Sequence, residues 1–140
     1  MKDTLVLDPN LDRDDFQDQY LNFVRQFLRL HKVPVQENAF CNLVNEITKN
    51  IWDHAEGRGE ISLEFEGKKL SFEIKDYGTG AHDLKLIKRC GSRLVGNRVN
   101  YGNGLCNGMI AALAKINKVR NFRIDTQCGF KYTGHIILTH

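Results

Sequence analysis

Near the middle of the chain the spacing of apolar residues switches from helical to strictly alternating. That switch constrains the fold more than any other feature. The stretch "EISLEFEGKKLSFEIKD" alternates Ile61, Leu63 and Phe65 with polar neighbours, turns at Gly67, then alternates Leu70, Phe72 and Ile74. A period of two with one apolar face predicts an antiparallel hairpin. Ahead of it, Phe16, Tyr20, Phe23, Val24, Phe27, Leu28 and Leu30 recur at helical spacing from Asp12, with acids in the first turn. Pro34 closes that helix or begins the next connection. Phe40, Leu43, Val44, Ile47 and Ile51 then mark a second helix, which Gly57 and Gly59 end. A sheet with one greasy face has to be covered, and amphipathic helices are what this chain offers to cover it.

The remaining elements are less sharply marked. "TLVLD" (residues 4–8) reads as a short strand. A glycine-rich, basic stretch from Tyr77 to Gly104 reads as a loop with a short helix. Leu105, Met109, Leu113 and Ile116 mark another helix, and "NFRIDTQ" and "GHIILT" read as two closing strands that turn near Gly129. The predicted class is α+β, a two-layer α/β sandwich whose mostly antiparallel mixed sheet carries its helices on one face. A length of 140 residues favours a single domain, 1–140.

Composition narrows the class further. Apolar residues make up 41% and charged residues 26%, as in a folded globular chain. No apolar run approaches the ~18 residues of a membrane span, and "MKDTLVLDPN" has no secretory pattern. The net charge of +3 comes from interleaved acids and bases, which argues against direct nucleic-acid binding. Cys41, Cys90, Cys106 and Cys128 are scattered without a C-x-x-C pair, so reduced thiols in a cytoplasmic protein are expected.

Two motif matches fail on chemistry. "GSRLVGNR" has the glycine spacing of a phosphate-binding loop, but Asn97 and Arg98 stand where Lys and Ser/Thr are needed. "DPNLDRDD" opens like a calcium loop, yet Arg13 replaces the turn glycine and Gln19 the bidentate acid.

Three stretches remain. In "NEITKNIWDHA", Glu46, Asn50, Asp53 and His54 return to one side of a helix, beside its apolar stripe. A carboxylate there can accept a proton from a hydroxyl, and an amide oxygen is a hard ligand for magnesium; a solvated helix edge has the same pattern. In "IKDYGTG", alternation puts Asp76 on the apolar face of its strand, where a carboxylate needs a donor such as a purine amino group. Gly78 and Gly80 follow and let the backbone turn close to a flat ring; a plain strand end is the alternative. In "YGNGLCNGM", Gly102, Gly104 and Gly108 precede or open a helix, where free N–H groups suit an anion. Lys85, Lys88, Arg89, Arg93 and Arg98 add positive charge nearby.

In that order, Glu-x-x-x-Asn on a helix, a hairpin ending in Asp-x-Gly-x-Gly, a basic stretch and Gly-x-Gly before a helix resemble the GHKL superfamily of ATP-binding domains over nearly the whole chain. This superfamily includes gyrase-type topoisomerases, histidine kinases and anti-sigma-factor serine kinases. The chain looks most similar to the last of these, free-standing domains of this size with a long amphipathic helix ahead of the Glu/Asn helix.

The resemblance implies a histidine-kinase-like ATPase domain of the Bergerat ATP-binding fold that binds ATP and Mg2+. Glu46 would be the general base and Asn50 the magnesium ligand. Asp76 would bond the adenine amino group, with Gly78 and Gly80 shaping its pocket, while Gly102, Gly104 and Leu105 cradle the phosphates. Either Asp53 or His54 would face the nucleotide, and Thr133 would support the adenine-binding acid. The implied activity is phosphorylation of a small antagonist protein, with a sigma factor as a second client and a homodimer left open. Cys106 and Asn107 depart from the family's Gly-Leu continuation, and the last strand lacks a clean Gly-Thr pair. A non-catalytic ATP/ADP switch module and a stand-alone histidine-kinase-type subunit are the competing readings.

Overall fold

The computed structural model describes residues 1–77, 93–95, 98–100, 119–125 and 131–138. The chain is α+β. It runs β1 (Lys2–Val6), α1 (Arg13–Leu30), α2 (Glu37–His54), β2 (Gly59–Glu66), β3 (Lys69–Asp76), β4 (Arg93–Val95), β5 (Arg98–Asn100), β6 (Val119–Asp125) and β7 (Lys131–Ile137). Five strands form one sheet in the order β1-β2-β3-β7-β6, and β4 and β5 pair separately.

Every pairing among the described strands is antiparallel. The mixed sheet expected from the sequence is therefore not found among the described strands. The β2–β3 and β6–β7 pairs fix opposite senses within themselves, and β1 and β7 join β2 and β3 antiparallel as well. β1 lies two residues earlier than expected, and Leu7 beyond it is buried.

Helix α1 starts where its sequence provides a cap: the Asp12 carboxylate accepts the Asp15 N–H at 2.8 Å. It ends in a Schellman motif. Val33 N–H donates to the Leu28 carbonyl at 2.9 Å and Lys32 N–H to that of Arg29 at 3.3 Å, with Lys32 left-handed at φ 50°. A lysine in the left-handed region carries a Cβ penalty that glycine avoids. Lys32→Gly is therefore expected to stabilise the fold by about 1 kcal/mol, read as a higher urea midpoint at unchanged slope.

The core forms where α1 and α2 meet one face of the sheet. Phe16, Tyr20, Val24, Phe27 and Leu28 from α1 join Phe40, Leu43, Val44, Ile47 and Ile51 from α2. The sheet contributes Ile61 and Leu63 from β2, Leu70, Phe72 and Ile74 from β3, and Tyr132 and Ile136 from β7. The alternation along β2 and β3 predicted this face residue by residue. Within the basic stretch expected as a loop with a short helix, residues 93–95 and 98–100 are strands, and 78–92, 96–97 and 101–104 lie outside the described residues. Arg93–Val95 pairs with Arg98–Asn100, leaving only Gly96 and Asn97 between them in sequence. A Gly-Asn pair between two antiparallel strands is a two-residue hairpin signal in the sequence. The helix expected from Leu105 lies outside the described residues.

Candidate functional site

The site begins with the end of β3. Asp76 is 3% exposed, and Asp76 and Thr48 are the buried polar residues among those described. Period-two geometry explains the burial, because Asp76 follows Leu70, Phe72 and Ile74 onto the core face of the strand. Gly59 stands opposite it across the β2–β3 ladder. A Cβ built at Gly59 would lie 2.4 Å from the Lys75 carbonyl oxygen, 3.0 Å from Ile51 Cδ1 and 3.3 Å from Asp76 Cα. The missing side chain is what lets α2, β2 and the end of β3 meet in one corner. Tyr77 N–H donates to the Arg58 carbonyl at 3.0 Å and holds the strand end against the turn before β2.

Helix α2 passes this corner at Ile51 and carries Glu46 about 7.5 Å earlier along its axis. The Glu46 side chain is 16% exposed and forms an ion pair with Lys49, Nζ to Oε2 at 2.7 Å. No donor is aligned on the buried Oε2 as a hydrogen bond. The charge of Glu46 is felt on α1. Burial first, and Glu46 second, push the Tyr20 phenol up to about 12. Tyr20 donates its hydroxyl proton to Asn45 Oδ1, and Gln17 Nε2 donates to the same oxygen at 2.9 Å.

The other residues singled out from the sequence are distributed as follows. Asn50, Asp53 and His54 lie on α2 within its last two turns, and their side chains lie outside the described residues. Gly78, Gly80, Gly102, Gly104 and Leu105 also lie outside them, as does Cys106.

Thr133 is a correction. It pairs with Glu73 on β3 and Arg123 on β6, so it shares the outer face of the sheet with Glu73. Asp76 faces the other way, and Thr133 is not placed to support it. The first β7 residue on the same face as Asp76 is Tyr132, which is buried and stands opposite Ile74. One step of register decides which of the two neighbours faces the acid.

The structure thus brings Asp76, Gly59 and the Ile51 turn of α2 to one corner, with Glu46 on the same helix. A buried carboxylate there can accept from an amino or amide donor, and a carboxylate on the helix margin can take a proton. Sequence reasoning read Gly59 only as a helix terminator. Its position directly before an alternating strand was the available signal of close backbone approach. Among the described residues, no helix is long and apolar enough to cross a membrane. Compared with protein families and with characterised proteins, the chain matches no family model and no characterised protein.

Proposed function

We propose that the chain is a Mg-ATP-binding protein serine kinase of the anti-sigma type, built as a two-layer Bergerat sandwich. It would phosphorylate a small antagonist protein and act through partner switching. The observation that carries this reading is the buried Asp76 carboxylate, held at the corner where β3 meets the Glu46/Asn50 helix. Such a carboxylate suits the amino group of adenine, and the glycines that follow it in sequence suit a flat ring.

In this reading Asp76 orients the purine, with Gly78 and Gly80 around it. Gly102, Gly104 and Leu105 hold the phosphates, and Asp53 or His54 lies beside them. Glu46 takes the proton from the partner's serine hydroxyl, and the protein's contribution is mainly positioning, as in other phosphoryl transfers. Asn50 would hold magnesium through its amide oxygen, a donor suited to that ion beside phosphate oxygens. No group of three His, Cys, Asp or Glu side chains converges among the described residues. A magnesium carried largely by phosphate and water requires no such group. When bound, the ion supplies neutralisation of phosphate charge.

The Lys49 ion pair favours a second reading, an ATP/ADP-dependent switch that transfers nothing. An ammonium 2.7 Å from Oε2 competes with any hydroxyl for the same carboxylate oxygen.

Thermal denaturation with millimolar Mg-ATP and Mg-ADP tests the nucleotide reading. At a ligand concentration of about 100 Kd the stabilisation is about 2.7 kcal/mol, a shift of several degrees. Asp76→Asn, checked by circular dichroism for an intact fold, is expected to abolish that shift. No shift for the wild-type chain would overturn both readings. Phosphoserine on candidate antagonists, lost in Glu46→Ala, separates the kinase from the switch. Acid-labile phosphate on the acceptor would instead identify histidine transfer.

A further inference from the structure

Away from the Asp76 corner, the outer seam between α1 and α2 is lined by amides and cations where two packed helices usually close on apolar contacts. On α2 the residues Asn38, Asn42, Asn45 and Lys49 follow one another at spacings of four, three and four, a single stripe. Two clefts open on that stripe and share Asn45. One, about 250 Å³, is lined by Arg13, Gln17, Asn45, Lys49 and Trp52 among others. The second, about 200 Å³, is lined by Leu21, Arg25, Asn38 and Asn42 beside it. From Asn38 to Trp52 the seam runs about 21 Å along α2. That length matches about six residues of extended chain.

The chemistry of the seam is one-sided. Its ionisable lining side chains are Arg13, Lys49, Arg25, the phenol of Tyr20 and the buried thiol of Cys41, with no carboxylate among them. Glu46 and Glu37 partner Lys49 and Arg25 from outside the clefts. Arg13 forms no ion pair among the described residues. Asn45 is oriented by its partners: its oxygen already accepts from Gln17 and from Tyr20, so its Nδ2 hydrogens remain to be donated. An asparagine side chain offers an N–H donor group and an acceptor oxygen side by side, as a peptide unit does. A row of them can therefore hold main chain without reading its sequence.

We propose that this seam is a docking groove for an extended acidic segment of a partner protein. Asn38, Asn42 and Asn45 hydrogen-bond its main chain, and Arg13 and Lys49 receive its carboxylates. Trp52, the one tryptophan in the chain, lies in the wall against Phe16 with ring centroids 4.9 Å apart and reports occupancy. The groove needs no nucleotide, so it stands or falls independently of the reading of the Asp76 corner.

The test follows Trp52 fluorescence as the full chain is titrated with acetyl-(Glu-Ser)3-amide and with acetyl-(Lys-Ser)3-amide. A saturable change with the acidic peptide below millimolar concentration is expected, at least tenfold weaker with the basic one. Arg13→Glu and the double variant Asn38→Ala/Asn42→Ala should each weaken acidic-peptide binding about tenfold. Lys69→Glu, the same charge change on an exposed strand residue of β3, should leave it within twofold. No saturable response to the acidic peptide, equal responses to both peptides, or wild-type affinity in the asparagine variant would overturn the proposal. Saturation of the same signal by inorganic phosphate would reassign the cleft to small anions. Tighter binding of a thymidine hexanucleotide would reassign it to a nucleic-acid backbone.

Discussion

Gly59→Ala is expected to lower stability by about 3 kcal/mol, a melting temperature roughly 10 °C down for a chain of this size. The added Cβ would meet the Lys75 carbonyl oxygen at 2.4 Å, a distance real Cβ atoms do not occupy. A flexible side chain could swing aside, but this neighbour is backbone in the ladder that pairs Gly59 with Asp76. Either β3 shifts and loses ladder hydrogen bonds, or β2 peels from α2. Trimming the second neighbour in the double variant Gly59→Ala/Ile51→Val should recover little, because the Ile51 contact at 3.0 Å is the milder of the two. Equilibrium urea unfolding of the single and double variants measures both effects. A Gly59→Ala protein of wild-type stability would mean that the corner is looser than these distances allow. The same variant displaces Asp76, so any nucleotide-dependent shift in melting should fall with it.

The second large effect appears at high pH. Tyr20 has its phenol pushed up to about 12 in the folded chain, by burial and by the charge of Glu46. In the unfolded chain it ionises near 10. The folded form therefore keeps a proton that the unfolded form has released between those values, and stability falls as pH rises through that window. The stabilising contribution is about 2.7 kcal/mol, present in full below pH 10 and lost as pH rises to 12. Tyr20→Phe removes this dependence. It also removes one hydrogen bond to Asn45, at a cost of about 1 kcal/mol near neutrality. The two stability curves should then cross near pH 11, with the variant the more stable beyond it. Urea titrations at half-unit steps from pH 8 to 11.5 would show this. Parallel curves would refute the assignment of Tyr20 as a buried neutral phenol.

How far the sequence could be read depended on whether each fact was local. Helices α1 and α2 and the β2–β3 hairpin were legible because periodicity is local: Phe16 to Leu28 and Ile61 to Ile74 each declare a face without reference to the rest of the chain. The burial of Asp76 followed from parity with Ile74. Thr133 failed for the complementary reason. Its face depends on which residue of β3 it meets, and that register is set across more than fifty residues of intervening chain. The β4–β5 pair escaped because three-residue strands have no period to detect. The close approach at Gly59 was equally invisible, since its neighbour Lys75 is distant in sequence and near only in space.

The strand order carries a consequence for how the chain assembles. Residues 1–77 already contain α1, α2 and the three neighbouring strands β1, β2 and β3, so this segment can collapse on itself. The seam between β3 and β7 must instead close over the 54 residues that separate Asp76 from Lys131. A closure of that length costs about 3.5 kcal/mol in chain entropy before any ladder bond repays it. During synthesis the N-terminal half would therefore emerge as a three-stranded intermediate with the outer edge of β3 bare. The β6–β7 pair is synthesised later and seals that edge, and truncations that remove it should favour aggregation over folding.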